Sequence, residues 1–171
     1  MRAAPTSARI VIGGVAHLYQ GDLDFGRLCV ERLRDAGFGA DVAVEEFSYG
    51  AVAVTQRLEE LRPELLILVG AAERGRVPGS VERREVELPK REPREVQAAV
   101  ADAVTGYLGL DLLVEVAHGL GALPRRTVAI ELEPARTEPS EHLSPEARAA
   151  LFVAEELVRA EVAAAPRAGS S

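Results

Sequence analysis

The chain has 171 residues and a mass of 18.3 kDa, and its 47% apolar content suits one substantial core while its length is short for two ordinary domains. A formal net charge of -7 and a pI near 5.1 speak against a nucleic-acid groove or an anionic membrane surface as partner, because both attract basic surfaces. A single cysteine, Cys29, excludes an internal disulfide framework or a thiolate cluster and fits a reducing cytoplasm.

The opening "MRAAPTSAR" lacks a long apolar run and leads directly into a strand, so no cleaved signal peptide is expected, and no segment approaches the roughly 20 apolar residues of a membrane span. "ARIVIGG" is a short apolar run stopped by glycines, which predicts a buried strand entering a tight turn. Over 25–36, Leu28, Cys29 and Leu33 share one helical face while Arg27, Arg32 and Arg34 point elsewhere, and Gly37 ends the helix. Cys29 reads as a small core residue. "ADVAVEEF" predicts a second strand, "AVAVTQRLEELRP" a helix stopping at Arg62 before Pro63, and "ELLILVG" a strand covered on both faces. After the polar loop "AAERGRVPGS", the charged run "VERREVEL" suits an edge strand.

The next long stretch, residues 91–121, is mostly helical, with Gly106 and Gly109 separating a second segment over about 108–118. "RTVAIELEP" predicts another strand, and in "LSPEARAALFVAEELVRAEV" Ser144 can cap a helix that has Pro145 at its first position. Alternating strands and helices imply an α/β three-layer sandwich around a mostly parallel, twisted sheet of about five strands. One domain over 9–163 is expected, with 1–8 and 164–171 as flexible ends.

The turn between the first strand and helix, "GGVAHLYQGDLDFG", is the natural place to look for chemistry. Its glycines, Gly13, Gly14, Gly21 and Gly26, match neither the dinucleotide fingerprint nor a P-loop with its lysine, and Asp22 and Asp24 would repel phosphate. As metal ligands, Asp22 and Asp24 offer oxygens, and His17 and His118 offer nitrogens, but no paired spacing unites them. The competing structural reading has Asp22 or Asp24 capping the helix that follows. His142 lies in a polar loop and reads as solvated. No nucleophile elbow is present, and Ser48 and Ser80 read as turn residues.

Taken together, three groups of motifs resemble the hydrogenase maturation protease family, the endopeptidases that trim the C-terminus of the nickel-iron hydrogenase large subunit. "GVAHLYQGDLDFGRLCVERL" is similar to the family's opening turn and helix, with Gly14, Gly21, Asp22 and Gly26 in place and His17 standing where the family has asparagine. "LLILVGAAERGRVPGSV" resembles the third strand with its P-G-[ST] loop. "YLGLDLL", "RTVAIELEP" and "HLSPEARAAL" resemble the L-G-L helix, the following strand with its turn, and the closing helix.

The resemblance implies a phosphorylase/hydrolase-like fold and a divalent metal held by three side chains. Carried onto this chain, the first acid falls at Leu23, the aspartate after the third strand at Gly70 or Val69, and the histidine at Gly106 or, in another placement, Arg94. None of these supplies a donor side chain, although Asp22, Asp24 or Glu73 could shift into the role. The family's recognition loop corresponds to Glu45, Glu46, Phe47, Ser48, Tyr49 and Gly50.

The reading that follows is a maturation-protease-like protein without metal-guided cleavage and without a cofactor, acting as a binding or accessory factor for a protein partner, such as a hydrogenase large subunit, in the cytoplasm. The alternatives are an endopeptidase with ligands relocated to Asp22, Asp24 and His17 or His118, and a small-molecule binding module using the same crevice.

Overall fold

The computed structural model describes residues 7–88, Ala98 and 109–167. Its strands are β1 (Ile10–Val15), β2 (Val42–Phe47), β3 (Leu65–Ala71), β4 (Val81–Glu85) and β5 (Arg126–Leu132). Its helices are α1 (Phe25–Arg34), entered through a 3-10 turn at Gly21–Asp24, then α2 (Ala51–Leu61), α3 (Leu110–Gly119) and α4 (Pro145–Ala164). The first part of the predicted helical stretch, with Arg94 and Gly106, lies outside the described residues.

One sheet runs in the order β2-β1-β3-β5-β4, with β1, β2, β3 and β5 parallel and β4 antiparallel to β5. The α/β sandwich expected from the alternating pattern is therefore present, and the charged run "VERRE" is an edge strand, as β2 is on the other side. Helices α1 and α4 cover one face through Phe25, Cys29, Val30, Leu33, Ala154 and Val158. Helices α2 and α3 cover the other through Val54, Leu58, Leu61, Leu110, Leu113 and Val116. All seven residues of β3 are buried, which is why that strand is apolar throughout rather than alternating. Each large side chain so buried contributes about 1.5–3 kcal/mol.

Local signals set the element ends. Ser144 Oγ accepts the Ala147 N–H at 3.1 Å, so the predicted cap and the proline behind it start α4. Helix α2 stops at Arg62, which takes a left-handed conformation (φ 48°) before Pro63 because the proline disfavours the helical region there. Two glycines let α1 press directly onto the sheet. A Cβ on Gly26 would lie 2.2 Å from the Val15 carbonyl oxygen and 2.5 Å from that of Val69, and one on Gly14 would lie 2.2 Å from the Gly26 oxygen. These glycines serve backbone contact, and the helix entrance they position stands at the carboxyl ends of β1 and β3.

Candidate functional site

The sheet order reverses between β1 and β3, since the chain moves outward to β2 on one side and to β5 on the other. Open α/β sheets bind ligands outside the carboxyl ends of strands at such a point. Here a crevice of about 300 Å³ opens, lined by Leu23, Ala71, Ala72, Gly109, Leu110 and Leu112, with Glu73, Arg74 and Asp111 adding polar groups. A larger hollow of about 540 Å³, between Leu58, Arg62, Pro63 and residues 121–124, lies where α2 ends and β5 begins, at the opposite end of the strands.

Of the positions that the resemblance assigns to a metal, Leu23 and Gly70 carry no donor side chain, and Gly106 lies outside the described residues. Leu23 lends its apolar side chain to the crevice wall. At Gly70, a Cβ would meet the Val15 oxygen at 3.0 Å and Leu110 Cγ at 3.4 Å, so the space beside it is already filled by a leucine. A divalent ion needs oxygen, nitrogen or sulfur donors, and an apolar wall would strip its water without compensation. Among the described residues, no three His, Cys, Asp or Glu side chains are grouped to hold a metal ion.

The neighbouring acids are already engaged, and in ways the capping reading did not anticipate. Neither Asp22 nor Asp24 makes a side-chain cap to α1. Asp22, fully buried, accepts the N–H groups of Ala135 (2.9 Å), Arg136 (3.1 Å) and Ser144 (2.8 Å) and the hydroxyl of Ser144 (2.7 Å). It therefore ties the opening turn to the loop between β5 and α4. Backbone bonds from Asp22 N–H to the Arg136 oxygen (2.8 Å), Gly21 N–H to the Ser140 oxygen (3.2 Å) and Ser140 N–H to the Tyr19 oxygen (3.0 Å) reinforce the seam. Gly21 needs its left-handed backbone (φ 59°) and missing Cβ there, since a Cβ would stand 2.8 Å from the Arg136 oxygen. Asp24 accepts from Arg27 Nε (2.8 Å) and Nη2, and the same guanidinium reaches Glu31 (2.9 Å) and lies over the Tyr19 ring.

Two of the three histidines lie away from these acids, and His17 shares their turn. His17 lies in the loop after β1, where its N–H donates to the Leu23 oxygen at 2.9 Å. His118 closes the far end of α3, ten residues long and so on the order of 15 Å from the crevice end. His142 is exposed, as expected. Cys29 is buried in the core, where burial pushes its thiol up to about 12.

The segment corresponding to the family's recognition loop is only half loop. Glu45, Glu46 and Phe47 belong to β2, and Gly50 precedes α2. Phe47 is fully buried, its ring filling the space a Cβ on Gly13 would need, so it is a core anchor. Glu45 pairs with Arg57 at 2.7 Å and Glu46 accepts the Ser48 hydroxyl at 3.0 Å, and Tyr49 and Gly50 are exposed. Of the nine described large apolar residues that are exposed, Leu18, Tyr19, Tyr49, Val52 and Val77 follow the carboxyl ends of β1, β2 or β3, and Leu88, Leu120, Phe152 and Val153 lie elsewhere. These loops rim the crevice's end of the sheet.

Sequence reasoning missed the charged cluster beside the crevice. Glu131 on β5 is fully buried opposite Gly70 of β3, yet it is surrounded by guanidinium groups. Arg74 Nη2 donates to it at 2.7 Å, Arg84 Nε at 3.0 Å and Arg76 Nη1 at 3.3 Å. Asp111 binds the outer edge of Arg74 through two bonds of 2.8 Å and lies 3.4 Å from Arg84 Nη2. Glu133 accepts the backbone N–H groups of Arg74 and Arg76 and so fixes the loop carrying both. Burial pushes the Glu131 carboxyl up, but Arg74 and Arg84 outweigh it and hold the group below its ordinary value. Arg74 likewise holds Asp111 low. The available signal was compositional: nineteen of the twenty basic residues are arginine, the side chain whose planar fork suits buried carboxylates.

No helix among the described residues is long and apolar enough to cross a membrane. No protein-family model matches the sequence, and no curated protein matches it, so the likeness is one to solved structures. The hydrogenase 2 maturation peptidase from Thaumarchaeota archaeon SCGC_AB-539-E09 is 25% identical, with a TM-score of 0.65 over 90% of this chain and 97% of its own. The hydrogenase-maturating endopeptidase HybD from E. coli is 21% identical, with a TM-score of 0.69 over 91% of this chain and 92% of its own. The [NiFe] hydrogenase maturation protease HycI from Thermococcus kodakarensis KOD1 is 24% identical, with a TM-score of 0.65 over 88% and 90%. With its five-stranded sheet, its switch-point crevice and its motifs in the same order, this chain has the fold of the hydrogenase maturation proteases.

Proposed function

We propose that the chain is a maturation-protease-like protein that binds a protein partner at the carboxyl end of its sheet without metal-guided cleavage, as an accessory factor in nickel-iron hydrogenase assembly. The observation that carries this reading is the crevice itself, where Leu23, Ala71 and Leu110 make an apolar wall at the spot the resemblance gives to ligands. Leu18, Tyr19, Tyr49, Val52 and Val77, on the surrounding loops and the first turn of α2, favour a protein surface as the partner, because they give this end of the sheet exposed apolar groups that another protein can cover. The relatives are maturation proteases, and the partner suggested by that kinship is a hydrogenase large-subunit precursor.

The test has two arms. Titration of the purified chain with nickel or zinc in a calorimeter is expected to give no stoichiometric micromolar binding. Binding at that level, abolished by Asp24→Asn, would restore the endopeptidase with relocated ligands. Incubation with a nickel-loaded large-subunit precursor is expected to yield a complex and an intact C-terminus, whereas release of a C-terminal peptide would overturn the proposal.

A further inference from the structure

Two guanidinium groups at the rim of the crevice stand between two carboxylates that differ in exposure. On the inner side, Arg74 and Arg84 bind Glu131, whose side chain is 0% exposed. On the outer side both meet Asp111, whose side chain is 62% exposed and belongs to the first turn of α3. The inner carboxylate is walled in by strands and fixes the guanidinium planes. The outer one is held at 2.8 Å by both terminal nitrogens of Arg74, the fork geometry by which arginine recognises a carboxylate of any origin. Because water competes for an exposed ion pair, Asp111 is held weakly compared with Glu131.

The outer edge of Arg74 is thus a preorganised carboxylate site occupied by the protein's own side chain. Arg74 and Asp111 both line the crevice, whose apolar walls include Leu23, Ala71, Ala72, Leu110 and Leu112 and whose other charged group is the carboxylate of Glu73. Its volume of about 300 Å³ is at the small end for ligand pockets, about 300–1,000 Å³, so it suits one large side chain with its backbone. A ligand that fits must carry a carboxylate within one residue of an apolar group. A chain terminus meets that condition, because its carboxylate and its last side chain share one Cα.

We propose that Arg74 and Arg84 capture the C-terminal carboxylate of a peptide whose last, apolar side chain enters the crevice, with Asp111 holding the clamp in the free protein and giving way to the ligand. This deepens the partner-binding role proposed above and rests on it for the identity of the site, but it concerns the ligand's chemistry alone.

The experiment titrates the full isotope-labelled chain by NMR with N-acetyl-alanyl-leucine, its C-terminal amide, N-acetyl-alanyl-alanine and free leucine. Expected are saturable shifts at Ala71, Ala72 and the Arg74 Nε–H with the leucine-terminated acid. The amide and the alanine-terminated acid should bind at least tenfold more weakly. Free leucine, with its ammonium beside two guanidinium groups, should also bind more weakly. Asp111→Asn, which removes the competing carboxylate at constant shape, should tighten the acid several-fold, and Arg74→Gln should abolish its binding. Because Arg74→Gln also deprives Glu131, the Asp111→Asn result decides if that variant does not fold. Equal binding of acid and amide, absence of shifts at the crevice, or no gain in Asp111→Asn would overturn the inference. Retention of the large-subunit complex alongside any of these results would remove the carboxylate ligand and leave the accessory role standing.

Discussion

Asp22 and Glu131 are both fully buried carboxylates near the carboxyl end of the sheet, yet they are satisfied by opposite means. Asp22 meets only neutral donors, three backbone N–H groups and one hydroxyl. Glu131 meets only guanidinium groups, from Arg74, Arg76 and Arg84. Neutral backbone donors fix where a loop runs but leave no side chain reaching outward. Cationic donors have a second edge, and at Arg74 and Arg84 that edge meets the exposed Asp111, with Arg74 lining the crevice. A buried acid in the opening turn is therefore a fastener, whereas the buried acid on β5 arranges groups that a ligand can meet.

The comparison predicts the largest effect for Asp22→Ala. Charged acceptors are worth about 1.5–3 kcal/mol per hydrogen bond, and this change strands donors from Ala135, Arg136 and Ser144 at once. A loss of about 4 kcal/mol is expected, with Tm lower by about 10 °C. Asp22→Asn keeps one acceptor oxygen and should lose roughly half as much. Denaturant unfolding of both variants checks this, and a loss under about 1 kcal/mol for Asp22→Ala would mean that the seam to the β5–α4 loop is held by its backbone bonds alone.

That seam also marks the limit of what the sequence made legible. The strands, the edge position of "VERRE" and the Ser144 cap follow from periodicity and from partners a few residues away. The role of Asp22 does not, because Ser144 lies 122 positions further on and a local pattern offers the next helix as the nearer partner. Glu131 was hidden differently. In "VAIELEP" it reads as one acid in an apolar strand, and its partners arrive from a loop and an edge strand 57 and 47 positions away. Phe47 closes the predicted strand "ADVAVEEF" and falls in the recognition loop only through the resemblance; its burial over Gly13 follows from a cross-strand contact. At the crevice, Leu23 and Gly70 could be read as lacking donors, whereas the packing of Leu110 beside Gly70 needed the third dimension.

A smaller loss, about 2–3 kcal/mol, is expected for Glu131→Gln, since breaking a buried pair from one side is costly but the three arginines keep partial access to water. Its pH dependence separates it from Asp22→Ala. Glu131 is held below its ordinary value of 4.5 in the folded state, so its contribution is full above that pH and is lost as pH falls through the lower folded value. Stability of the parent chain measured from pH 6 downward should therefore include a loss beginning near 4.5 that Glu131→Gln lacks. If the two curves run parallel below that pH, the arginines are not what stabilises the ionised carboxylate. Asp111 and Glu161, also held low by Arg74 and Arg83, respectively, should contribute in the same window and persist in the variant.

Asp24 sharpens the contrast from inside the opening turn, two residues from Asp22, and carries the smallest expected effect. Its carboxylate is nearly buried, with its side chain 2% exposed, but its main partner is the cation of Arg27. Asp24→Asn leaves Arg27 with Glu31 at 2.9 Å and with the Tyr19 ring, so the cation keeps company and the amide oxygen can still accept. The cost should be about 1 kcal/mol, well below that of Asp22→Ala, because no set of backbone donors is stranded. Denaturant unfolding should give Asp24→Asn a smaller deficit than Asp22→Asn, since Arg27 keeps a second carboxylate and a ring whereas the donors around Asp22 have no other partner among the described residues. Deficits of equal size in both variants would show that the two acids are fastened alike, and the division between neutral and cationic partners would then not govern this end of the sheet.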